Sequence, residues 1–389
     1  MIDNISIREH ISQFIISLPF IAALLLIISP LVYTYGISFK IYAPFYTLVF
    51  ITIALATNSK IDKFFILFSA LVILTGSLVA IFHQNIIYMW FSGNIVLGVM
   101  LFSVIDKKQF LQIIKISTII IIFMLIGAWI TYFDIYTNGM TDTFFETKTG
   151  RFIPIGSFSL GHITTQGSFR PSSIYDEPGT FSFVIVFIAA TRHLLGMSKG
   201  YTWLILILGF ITTSLAHLVY VFFHFLAEVK NAKKLMNIFF IIFSLLVLVA
   251  SISFIPESLI SAFSSRLQIT SLDDGLISGN NRLNYLLYSM QKLHSFSIYE
   301  WFFGTSVMAN LGCCNPLLPL TYAGIVGTWP YYLIILFLLL ISFIKRDFVV
   351  FAIFLVLLQR PDVQSAGASF LVGALLVILV SSRFEKNKT

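Results

Sequence analysis

YTWLILILGFITTSLAHLVYVFFHFLA, from Tyr201 to Ala227, is one unbroken apolar run, ample for a single membrane crossing and short for two. How it is read decides on which side of a bilayer every later segment lies. Short cytoplasmic loops collect Lys and Arg. With the N-terminus inside, Arg8, then Lys60 and Lys63, then Lys107, Lys108 and Lys115, then Arg192 and Lys199 all fall on the inner side. A single crossing over 201–227 would put Lys230, Lys233 and Lys234 outside, against that pattern. A tight helical hairpin turning near Thr212, Thr213 and Ser214 keeps them inside, and it carries Lys345, Arg346, Arg383, Lys386 and Lys388 inside as well. Each arm of such a hairpin is short for a full crossing, so one long tilted helix stands as the alternative.

The rest of the chain requires the same medium. Of 389 residues 58% are hydrophobic and only 11% charged, and water does not solvate a folded surface of that make-up. A mean hydropathy of +0.94 points the same way. Soluble cofactor-binding folds, disulfide scaffolds, coiled coils and disordered chains are thereby excluded. The net charge of +7 reports topology before any affinity for nucleic acid, and none is expected as a partner. Apolar runs at 13–34, 39–57, 64–82, 86–105 and 113–133 precede a polar stretch, 134–179. Then come 180–196, the run 201–227, 236–254, a second polar stretch, 255–316, and finally 318–344, 347–359 and 366–382. With the hairpin, the expectation is an all-α polytopic membrane protein of about twelve transmembrane helices (eleven with a single crossing), both termini cytoplasmic, and residues 1–389 forming one membrane domain. The first span has no small-residue cleavage site and reads as a retained helix, not a signal peptide. Both long polar stretches face out.

The charges also say where chemistry belongs. All 17 acidic residues lie in loops or at span boundaries, so the midplane carboxylate that marks an ion-coupled pump is missing. His217 and His224 stand two helical turns apart on one face. With no third ligand or nearby carboxylate in sequence they make a poor metal signal, and no metal or cofactor is expected. In the first outer loop, Gly167 to Gly179 reads GSFRPSSIYDEPG, so Asp176 and Glu177 sit at the start of an apolar helix, where its dipole favours their charge. A plain capping cluster with Pro178 in the first turn explains them equally well. Arg170 lies just upstream and Arg151 further back. In the second loop, Arg266, Asp273-Asp274-Gly275 and Ser278 to Arg282 precede Leu283, Leu286, Leu287, Met290 and Leu293 at helical spacing, an amphipathic helix with Arg282 in its first turn. A cation there opposes the helix dipole and favours a bound anion. The Asp-Asp-Gly stretch reads as a turn, and Cys313 and Cys314 as ordinary buried thiols. Outward-facing arginines beside a lipid surface suit a lipid-linked pyrophosphate, because the guanidinium fork binds phosphate oxygens bidentately.

At these residues the sequence resembles the O-antigen polymerase and ligase superfamily of bacterial envelope glycan assembly. The matching pieces are Arg170 to Pro178, the Gly279 to Arg282 stretch before an amphipathic helix, Phe303-Gly304, and Asn315 followed by Leu317 to Gly327. Their order carries the likeness. Where relatives often have His before the Asn, this chain has Cys314, so no role of that histidine carries over. The resemblance implies a GT-C-like architecture with two long periplasmic loops, 134–179 and 255–316, in the bacterial inner membrane. It implies an inverting glycosyltransferase that moves a growing glycan from undecaprenyl pyrophosphate onto another lipid-linked repeat unit, with a chain-length regulator protein as a further partner. In that scheme Glu177, then Asp176, is the candidate acceptor base, and Arg170, Arg282, Arg266 and Arg151 are the candidates for the departing diphosphate. The ligase that passes a finished glycan to lipid A core shares fold and donor. A flippase for lipid-linked oligosaccharide is the competing reading from another class.

Overall fold

The structure, a computed structural model, describes residues 61–139, 143–146, 152–163, 169–231, 282–305, 315–359 and 366–381, apart from 87, 176 and 346, together with isolated helical positions between 18 and 52. The expected spans 13–34 and 39–57 (isolated positions aside) and 236–254 lie outside it. Elsewhere the expected helices are present. They are α1 (Lys63–Phe82), α2 (Tyr88–Ser103), α3 (Lys107–Asn138), α4 (Pro178–Leu194), α5 (Lys199–Leu208), α6 (Leu215–Asn231), α7 (Arg282–His294), α8 (Ile298–Phe303), α9 (Leu318–Lys345), α10 (Phe348–Gln359) and α11 (Ala366–Val380).

Local chemistry sets their ends. Asp62 accepts from the Phe64 N–H at 2.9 Å and starts α1. Asp106 and Gln109 close a capping box that starts α3 six residues before the apolar run 113–133 begins. The same helix runs on to Asn138, so the first outer loop starts later than Asp134. All-α also needs correction, because that loop holds two small antiparallel hairpins. They are β1 (Phe144–Glu146) with β2 (Phe152–Pro154), and β3 (Leu160–Ile163) with β4 (Phe169–Ser173). Each is too short to show a periodic pattern in sequence.

The protein is a helical membrane protein. Three described helices, α1, α3 and α9, are long and apolar enough to cross a bilayer. On α1, Leu67, Leu71, Leu74, Leu78 and Ile81 form an exposed stripe at i+3 and i+4 spacing, while Phe65, Phe68, Val72 and Val79 are buried on the other side. An exposed leucine stripe of that length, on a helix long and apolar enough to cross a bilayer, suits lipid as its surroundings. By contrast, α4 is buried from Thr180 to Arg192 and packs on α3, α5, α6, α10 and α11, so it forms the central element. Small residues bring other helices close. A Cβ at Gly373 of α11 would lie 2.4 Å from the Ile95 carbonyl oxygen of α2.

The run 201–227 breaks where the charges require. After α5 a 3-10 turn covers Gly209–Thr212, Thr213 takes the left-handed conformation (φ 45°, ψ 36°), and α6 begins two residues later. The arms then run antiparallel. His217 Nε2 donates to the Leu206 carbonyl at 2.8 Å, the Trp203 and His224 rings meet at 5.2 Å, and Lys199 pairs with Glu228. A helical hairpin thus replaces the single tilted helix, and both its outer ends return to one side.

Candidate functional site

Neighbouring helices fix which ends lie together. Thr118 of α3 meets Arg192 of α4, Trp129 of α3 donates to Leu208 at 3.0 Å, Tyr331 of α9 donates to Leu357 of α10 at 2.7 Å, and Trp329 of α9 donates to Thr75 of α1 at 3.0 Å. These antiparallel pairings put the start of α4, the 212–214 turn, the end of α1 and the start of α9 at one end of the bundle. Arg192, Lys199 and Lys345 mark the other. The charge rule leads one to expect the end without them to face out, and it is called the outer end below.

At this outer end β3 and β4 lead into α4. His162 pairs with Arg170 and Gly161 with Pro171, with an irregularity between Leu160 and Gly161. Such a break admits a proline into the strand. A Cβ at Gly161 would fall 2.2 Å from the Phe169 ring, so no larger residue fits without rearrangement. Every residue of β4 is buried. The Ser159 hydroxyl accepts from the Ser173 N–H at 2.8 Å and donates to the Leu160 carbonyl at 2.6 Å, fixing the turn in which Ser173 has φ 57°. Tyr175 is wholly buried and stacks on Phe181 at 5.6 Å, and burial pushes its phenol well above the usual range, which keeps it protonated. Glu177 is the N-cap residue of α4, with Pro178 at the first helical position. Its half-buried side chain makes no cap hydrogen bond.

Arg170 does something the sequence did not indicate. It is 4% exposed, and its Nη2 donates to the carbonyls of Thr212 at 2.7 Å and Thr213 at 3.1 Å while Nε donates to the Thr213 hydroxyl. The guanidinium caps the C-terminal carbonyls of the α5 arm, where a helix dipole favours a cation. Arg170 and Glu177 thus belong to one structural unit, strand, turn and helix start. Asp176, Arg151 and Arg266 lie outside the described residues, as do Cys313 and Cys314. Arg282 opens α7 as expected, and its side chain is likewise outside them.

A second cluster at the outer end joins two pieces of the resemblance, Phe303-Gly304 and Asn315 to Gly327, to the amphipathic helix α7. Gly304 (φ 78°) and Gly324 (φ 60°) interlock. A Cβ on the first would lie 2.2 Å from the Tyr322 carbonyl oxygen, and one on the second 2.4 Å from the Phe302 carbonyl. Thr305 N–H donates to the Thr321 carbonyl at 3.0 Å across the same contact. Asn315 reaches Ser289 of α7 at 3.2 Å and accepts from the Leu317 N–H at 3.1 Å. From the end of α1, His83 Nε2 donates to the Phe303 carbonyl at 2.7 Å, and the Tyr88 hydroxyl donates to the Thr305 carbonyl at 2.7 Å. The His83, Tyr88 and Tyr322 rings stack successively at 4.4 Å. Among the described residues the buried hydroxyls of Thr305 and Tyr322 have no hydrogen-bond partner, so both can receive a polar group. His83 and Tyr88 were missed in sequence. Their only signal is a ring pair in the short polar break between α1 and α2.

His217 and His224 share a face as expected, yet they serve different neighbours. His217 binds the Leu206 carbonyl, and His224 turns to His193 of α4, ring centres 5.4 Å apart. Comparison with protein-family models, curated proteins and solved structures finds no match to this chain.

Proposed function

We propose that the protein polymerises lipid-linked oligosaccharide repeat units at the outer face of a bacterial inner membrane, as a membrane-embedded inverting glycosyltransferase of about twelve spans. The observation that carries this reading is the Arg170–Glu177 unit, a buried cation and a helix-opening carboxylate joined by a strand and turn, in the order the polymerase and ligase superfamily shows. An acceptor sugar hydroxyl attacks the anomeric carbon of the donor glycan. The bond from that carbon to the diphosphate oxygen breaks, undecaprenyl pyrophosphate departs, and the hydroxyl proton passes to Glu177, with Asp176 the second candidate. Arg282, Arg266 and Arg151 meet the diphosphate charge, and Arg170 supplies positive potential from beneath while holding the hairpin turn. Arginine can carry this charge without a metal ion, since the guanidinium stays ionised and binds phosphate bidentately. The lipid donor reaches the site from the membrane plane, and a chain-length regulator is the expected protein partner.

Deleting the gene in its host and running the surface glycan on a gel tests this. Bands that stop at one repeat unit, restored to a ladder by a complementing copy but not by a Glu177→Gln copy, are expected. Loss of every repeat from the surface acceptor would instead make the protein a ligase or flippase. A full ladder from the Glu177→Gln copy would remove Glu177 from the reaction.

A further inference from the structure

The basic, inner end of the bundle holds ligating side chains that the proposed reaction does not use. We propose that His193, His224 and Glu228 bind one divalent transition-metal ion of the zinc type and so tie α4 to the α5–α6 hairpin. Their ligand atoms all lie within 4.8 Å of one another. Tetrahedral bonds of about 2.1 Å place ligand atoms roughly 3.4 Å apart, a difference that side-chain rotation covers.

The backbone presents the three together. His224 and Glu228 stand at i and i+4 on one face of α6. His193 comes from the last turn of α4, which ends in a fixed geometry: Gly196 (φ 68°) donates to the His193 carbonyl at 3.0 Å and Met197 to the Arg192 carbonyl at 2.9 Å. His224 has an outer partner as well, Tyr220 Oη at 3.5 Å from Nδ1. Were Nδ1–H to donate there, Nε2 would be the nitrogen that ligates, the arrangement by which metal-binding histidines are usually oriented. A cavity of about 360 Å³ adjoins the three residues and is lined also by Gly196, Met197, Lys199 and Thr202, leaving room for the ion and a water in the fourth position. Lys199 on its rim is 68% exposed, so the site opens to solvent. Lys199 also holds one carboxylate oxygen of Glu228, and the second oxygen remains to ligate. Two imidazoles with one carboxylate suit Zn²⁺ or Co²⁺ and not the oxygen-seeking Mg²⁺ or Ca²⁺.

The probe is Co²⁺ alone, titrated into the metal-stripped full-length protein in detergent and followed by its visible d–d bands, with Zn²⁺ as competitor. One Co²⁺ per chain is expected, displaced by Zn²⁺. His193→Gln, His224→Gln and Glu228→Gln should each weaken it by at least the roughly 10-fold that loss of even an outer partner costs. His217→Gln, in the same hairpin but outside the cluster, should leave it unchanged. Zn²⁺ should also raise the unfolding midpoint of the wild-type protein, which needs no variant to fold. Failure of the wild type to take up stoichiometric metal, or uptake that survives all three ligand substitutions, overturns the site.

Discussion

Arg170 and Arg192 are both buried, at opposite ends of the same helices, and each donates to neutral oxygens, but they hold different things. Arg192 sits in the last turn of a regular helix and joins three such helices through the hydroxyls of Thr118 and Thr202 and the Ser198 carbonyl. Arg170 comes from a strand and fills a turn whose own carbonyls have no helical partner. The contrast extends to the surroundings. The inner end is built of helix ends pinned by side chains, whereas the outer end is irregular backbone, with Ser173, Thr213, Gly304 and Gly324 all at positive φ. Buried irregular backbone persists only where other protein groups satisfy its polar atoms, and strained backbone is concentrated at functional sites.

That difference predicts where substitution hurts most. Gly304→Ala is expected to be the most damaging, since its φ of 78° and ψ of −166° suit glycine and a Cβ would strike the Tyr322 backbone. A loss above about 3 kcal/mol, seen as failure to accumulate in the membrane, is the expected outcome. Normal accumulation would show that the glycine interlock yields easily and that the outer end is softer than its geometry implies.

Arg170→Ala comes next. It leaves two buried carbonyls and a threonine hydroxyl to find other partners, a loss of about 2–4 kcal/mol in thermal unfolding of the purified protein. Arg170→Lys restores a charge but not the fork and should recover only part. Arg192→Ala, which strands mostly hydroxyls that can turn elsewhere, should cost less, about 1–2 kcal/mol. Equal losses from both arginines would erase the distinction between the two ends.

Glu177→Gln separates stability from chemistry. Gln keeps the size of the side chain and most of its hydrogen-bonding capacity, so unfolding should move by no more than about 1 kcal/mol. Polymer made per unit of protein should fall by roughly 100-fold or more if the carboxylate accepts the acceptor proton. A destabilised but active variant would make Glu177 a structural residue and move Asp176, the second candidate, ahead of it.

What sequence could show follows the same division. The hairpin within 201–227 was legible because lysines on both flanks demanded it, and the turn fell at Thr212–Ser214, where polar residues interrupt the run. Helix bounds at Pro178 and Leu318 were legible for similar local reasons. The partner of Arg170 was not, because Thr212 lies 42 residues away and a neutral carbonyl leaves no mark in sequence. The cluster around His224 was legible only in part. Glu228 stands four residues on along the same helix, a nearby carboxylate that the reading of His217 and His224 passed over. His193 belongs to another helix, and only the antiparallel packing of α4 against α6 brings it to His224. His83 and Tyr88 were hidden in the same way by Phe303 and Thr305, more than two hundred residues on.

The smallest effect expected is at Lys199. Its ion pair with Glu228 is exposed on the lysine side, so Lys199→Ala should change stability by less than about 1 kcal/mol, and less again at high salt. The same substitution frees one Glu228 oxygen and removes a cation beside the two imidazoles. If that group holds a metal, Co²⁺ should bind Lys199→Ala more tightly than wild type, because no ammonium then opposes a divalent charge. If the group serves only as a helix contact, losing the pair leaves metal affinity where it was, and the inner end is held by hydrogen bonds and packing alone.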